Sequence, residues 1–142
     1  MTKLPTMLAL LVYLSWSGDA RADDWPKGFT CAFKTGTSAN QVEGTFQQAP
    51  AAPLSFEVKA VDLEGQLAQM ITKPGAAPAA LRIVRALNAN HFIEVLNEGF
   101  LSLTTVYDKV ASTGEFPAVH SRHVGVLGQA VIAQYLGSCK SS

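Results

Sequence analysis

Residues 54–72 read LSFEVKAVDLEGQLAQMIT. Leu54, Phe56, Val58 and Ala60 fall on one face of an extended chain, and Ser55, Glu57 and Lys59 on the other. Such alternation describes a strand with one buried and one wet side, as in antiparallel sheets. Asp62-Leu63-Glu64-Gly65 then reads as a tight turn, opened by Asp62 and given its positive φ by Gly65. Gly65 to Thr72 returns as the paired strand. Two short alternating strands around a tight turn decide for an antiparallel sheet.

The same period extends outward. Toward the N-terminus, Gln48–Pro53 (QAPAAP) breaks the pattern, and Val42, Gly44 and Phe46 alternate with Glu43, Thr45 and Gln47. Gly36–Asn40 (GTSAN) carries turn chemistry, and Phe29, Cys31 and Phe33 share a face in the first strand. Toward the C-terminus, the two prolines of Lys73–Pro78 (KPGAAP) mark a loop. Residues 79–87 (AALRIVRAL) fit a short helix or a strand, and the turn-rich flanks favour strand. Asn88-Ala89-Asn90 reads as a turn. Strands 91–96 and 100–107 form a hairpin across Asn97-Glu98-Gly99, a polar loop follows over 108–117, and closing strands at 118–127 and 129–136 meet at a bend at Gly128. The expected fold is all-β: a single antiparallel meander of about eight short strands forming a small barrel or sandwich, with a short helix near 79–87 as the local alternative.

The first 22 residues have the form of a cleavable signal peptide. Lys3 supplies the positive start, Met7–Leu14 (MLALLVYL) the apolar run, and Ala20-Arg21-Ala22 the small-residue cleavage site. The run is far shorter than the roughly 20 residues a membrane helix needs. The expected product is an exported, periplasmic or extracellular single β-domain, residues 23–142, with no membrane span in its mature form. The whole chain has 11 basic and 11 acidic residues. Loss of Lys3, Arg21 and Asp19 leaves a net charge near −1, and no Lys/Arg cluster exists, which argues against a nucleic-acid partner.

Compartment decides the reading of the two cysteines. Cys31 and Cys139 are one possible pair, and in an exported chain they are expected as a disulfide tying the first strand to the last. They lack the close C-x-x-C spacing of a redox pair. In a meander barrel the first and last strands meet, so the staple and the barrel support one another.

The sequence contains no P-loop, dinucleotide-binding glycine pattern, G-x-S-x-G or H-E-x-x-H, and nothing in it calls for a cofactor. Its richest polar stretch is Pro117–His123 (PAVHSRH). On a strand, His120 and His123 point to opposite faces, which argues against a chelate; His91 is the only other histidine. His91 or His123 as base, Ser102, Ser121 or Thr105 as nucleophile and Asp108 or Glu94 as orienter compose a catalytic alternative that no spacing selects. Arg122 shares a face with His120, Val124 and Val126, and that largely apolar face suits it either to a ligand anion or to an internal carboxylate from Glu94, Glu98 or Asp108. The ligand-binding candidates are therefore Arg122, His120, His123, His91, Tyr107 and Tyr135, with Trp25 placed to cover a barrel end.

The expected architecture resembles that of small periplasmic inhibitors of cell-wall hydrolases with terminal cysteines, at the level of fold only; no inhibitory-loop motif is matched. The leading expectation is an exported domain that binds a small ligand or an exported protein without catalysis. The alternatives are a modulator acting through loops such as Gly36–Asn40 or Lys73–Pro78, and a small enzyme or metal protein centred on the three histidines.

Overall fold

A computed structural model describes residues 25–96, 99–126 and 128–142. The predicted leader and residues 23, 24, 97, 98 and 127 lie outside them. The described chain is all-β: β1 (Phe29–Val42), β2 (Thr45–Pro50), β3 (Leu54–Asp62), β4 (Leu67–Ile71), β5 (Ala79–Arg85), β6 (Ala89–Leu96), β7 (Phe100–Tyr107), β8 (Phe116–Val126) and β9 (Gln129–Ser141). The ambiguous segment 79–87 is strand. Neighbours pair antiparallel, and β1 also pairs with β9, so eight strands close into a small barrel.

β1 organises the closure. Its whole length from Phe29 to Asn40 pairs with β9, while its other edge takes β3 at residues 29–33 and β2 at residues 37–42. Phe33↔Leu54 and Thr37↔Pro50 belong to one continuous register, and Ala51 N–H donates to Gly36 O at 2.9 Å across the gap. β2 and β3 are thus one long strand kinked at residues 51–53, where Pro53 breaks the ladder. On the β9 side, two residues of β1, Phe33 and Lys34, oppose the single residue Gly137. A β-carbon on Gly137 would lie 2.8 Å from the Phe33 Cα, and one on Gly36 would lie 2.5 Å from the Tyr135 ring. Glycine at these two positions permits the close approach that bends the seam.

Four sequence readings are corrected. Gly36–Asn40 is not a turn: pairing with β2 and β9 on both edges overrides its local turn chemistry. The reversal comes instead at Glu43-Gly44, both at positive φ (48° and 81°), the backbone of a two-residue hairpin loop. Ala60 faces out, because Ala60 and Val61 bulge opposite Ala68; this restores the inward phase at Val61 and Leu63. Ala89 and Asn90 are buried members of β6, paired with Tyr107 and Val106. In the Asp62 turn, Asp62 Oδ1 accepts the N–H groups of Glu64 and Gly65, as expected of an opening Asp, but the positive φ falls on Gln66.

The core concentrates at the end that holds the disulfide. Cys31 and Cys139 are direct cross-strand partners on β1 and β9, bonded, with Cα atoms 4.0 Å apart. Phe29 packs edge-on to Phe116 and Phe92, and Trp25 covers both Phe29 and Phe116 at ring distances of 5.6 and 5.7 Å. Val58, Met70, Leu81, Ile83, Val106 and Ala118 fill the remaining interior.

Candidate functional site

Beyond this apolar plug the inward-facing residues become polar. One cross-strand row runs Phe92, Thr104, His120, Tyr135, Gly36, and the next runs Glu94, Ser102, Arg122, Ala133, Ser38. A third, Phe100, Val124, Val131, Asn40, is apolar except for Asn40 and partly open to solvent. The barrel interior is therefore layered: aromatic plug, polar belt, apolar rim.

His120 is the centre of the belt and is fully buried. Its ring is enclosed by Phe56, Phe33 and Tyr135 at centroid distances of 5.1, 5.8 and 6.0 Å. Arg122 Nε donates to His120 Nε2 at 3.1 Å. Nε2 is thus the acceptor, so Nδ1 carries the proton and donates to Thr104 Oγ1 at 2.8 Å. Burial, reinforced by the neighbouring guanidinium, lowers the His120 pKa to about 4. Beside it, the buried Ser102 hydroxyl donates to Glu94 Oε2 at 2.8 Å.

The six candidate residues do not form one site. His120, Arg122 and Tyr135 come together inside the barrel. His91 lies on the outer wall, its Nδ1 2.9 Å from Thr105 Oγ1, in a row flanked by Val84 and Val119. His123 is exposed on the outer wall beside Leu101 and Ile132. Tyr107 is exposed at the last position of β7, opposite Ala89 at the start of β6. The histidines do not converge, since His120 points inward and the other two outward. The expected carboxylate partner of Arg122 is replaced by an imidazole; Glu94, one of the carboxylates considered, is held by Ser102. Nucleophile–base geometry is poor at His120, whose Nε2 lone pair is already engaged by a permanently charged donor.

What the sequence reading missed is the projecting end of the barrel. β1, β8 and β9 run 14, 11 and 13 residues, against 5 for β4 and 7 for β5. The long strands extend beyond the short wall as an arm formed by residues 37–50 and the start of β9. Every residue of β2 is exposed, on both faces. Val42 and Phe46 are 43% and 52% exposed. The signal was present in the alternation of residues 42–47, but the turn reading at 36–40 hid its continuity with β1. Lys73–Pro78 is a loop as expected, largely exposed.

Comparison with protein-family models, with curated proteins and with solved structures found no match.

Proposed function

We propose that residues 23–142 act as an exported domain that binds a protein partner, without catalysis, through the arm and the apolar rim at the open end. The observation that carries this reading is the contrast between a packed interior and the arm strand β2, which is solvent-exposed on both faces. Small-ligand sites are concave and enclosed, whereas here the interior positions nearest Arg122 are occupied by His120 and Tyr135. Exposed apolar side chains at Val42, Phe46 and Val131 supply contact area of the kind found at protein interfaces. The disulfide supports an oxidising, exported setting. Among the described residues no helix is long and apolar enough to cross a membrane.

Native mass spectrometry of the protein purified from its own exporting cells tests this. The expected result is a stoichiometric protein complex that Val131→Asp, on the rim, weakens at least tenfold. A small molecule retained by both forms, with no protein partner, would overturn the reading.

A further inference from the structure

The arm ends in an unusual edge. β2 is the terminal strand of the sheet: it pairs with β1 and, among the described residues, with no other strand. The Ala51 N–H bonds to β1, so by the two-residue period the backbone groups of Thr45, Gln47 and Ala49 also face β1. The N–H and C=O of Phe46 and of Gln48 therefore point outward, along the free edge. Natural edges are usually blunted by lysine or another charge. Residues 45–54 (TFQQAPAAPL) carry no charge at all; Pro50 ends the usable edge but leaves Phe46 and Gln48 clear.

We infer that this edge pairs with the same edge of a second copy of the chain, antiparallel, about a two-fold axis at Gln47. This register sets Phe46 opposite Gln48 of the other copy twice over, closing four backbone hydrogen bonds. Three features select a second copy as the occupant. An isologous contact needs a self-complementary segment, and 45–49 is uncharged, so no like charges meet. The nearest ionisable residue, Glu43, falls opposite the neutral Ala51. The two Phe46 rings become diagonal neighbours about 7–8 Å apart on one face, within reach of aromatic contact, which covers the exposed ring. Trp25, the first described residue, packs on Phe29 and Phe116 at the end of the barrel opposite this edge. A contact of five residues per copy is small, and the expected dissociation constant is about 10–100 µM.

Sedimentation velocity of the purified, disulfide-bonded protein from about 1 to 500 µM reads this directly, with no partner present, so its outcome is independent of the function proposed above. The wild type is expected to shift from monomer to dimer across the range. Gln48→Pro removes an outward N–H that no described strand of the same chain uses, and Phe46→Lys places two like charges across the axis; each is expected to weaken association at least tenfold with an unchanged circular-dichroism melt. Gln47→Cys, at the axis, is expected to form an interchain disulfide on mild oxidation, since facing residues there lie about 4.5 Å apart between Cα atoms. A wild type that stays monomeric at 500 µM overturns the inference. So does a dimer that survives both edge variants.

Discussion

The two ends of this barrel obey different rules. At one end a disulfide, four aromatic rings and the seam between β1 and β9 fix the structure from every side. At the other, a hairpin built from the same strand β1 stands in solvent with both faces and one edge of β2 uncovered. One strand thus belongs to both regimes, its first five residues pairing with β3 around the core and its last six with β2 in the arm. The difference teaches where stability and recognition are separated: the closed end holds the fold, which leaves the open end free to carry exposed apolar and unpaired groups that a core could not tolerate.

The largest effect expected is on the closed end. Reduction of Cys31–Cys139 releases a loop of 108 residues, and the chain-entropy argument gives a loss of about 4–5 kcal/mol. Denaturant unfolding with and without reductant measures it; a loss below about 1 kcal/mol would mean that the strand seam alone holds this end. Phe29→Ala should cost about 3–5 kcal/mol by opening a cavity among Trp25, Phe92 and Phe116. Equal destabilisation by Phe29→Ala and Phe46→Ala would erase the comparison, because the arm substitution is expected to stay within about 0.5 kcal/mol.

The polar belt between the two ends gives an intermediate test. His120 titrates near 4 when folded and near 6.5 when unfolded. Between those values the unfolded chain binds the extra proton, so stability is full above pH 6.5 and falls as pH drops toward 4. The total loss is roughly 3 kcal/mol. Urea unfolding at pH 7 and pH 4.5 should show most of it, and His120→Gln should flatten the difference. A wild-type slope unchanged by that substitution would place the acid sensitivity elsewhere. The belt's second pair gives a smaller effect: Ser102→Ala leaves the buried Glu94 carboxylate without its hydroxyl donor and should cost about 1–3 kcal/mol, against little change for the exposed Ser55→Ala.

Much of the closed end was legible in the sequence. The alternation of Phe29, Cys31 and Phe33 and of Leu54, Phe56 and Val58 places their side chains inside, and export chemistry pairs the cysteines. Those signals are local, or need only one partner. What the sequence hid depends on neighbours that it does not name. Gly36–Asn40 reads as a turn until β2 and β9 bind both its edges. Ala60 reads as buried until a bulge shifts the phase by one. Arg122 asks for a carboxylate, but Glu94 in the same cross-strand row is held by Ser102, and Arg122 donates instead to His120, two residues away on its own strand. Thr104, which orients that imidazole, sits in a run of unremarkable β-formers and carries no sequence mark of its role.

The seam itself has a kinetic consequence. Every other pair of barrel neighbours is joined by a short connection, but β1 and β9 meet across about a hundred residues. Closing so long a loop is the costliest entropic step in the chain, and folds dominated by distant pairings reach their native state in milliseconds to seconds. Until β9 arrives, both β1 and β9 are exposed edges, open to the wrong partner as readily as to each other. The crosslink at Cys31 and Cys139, placed directly on that seam, makes closure hard to reverse once achieved.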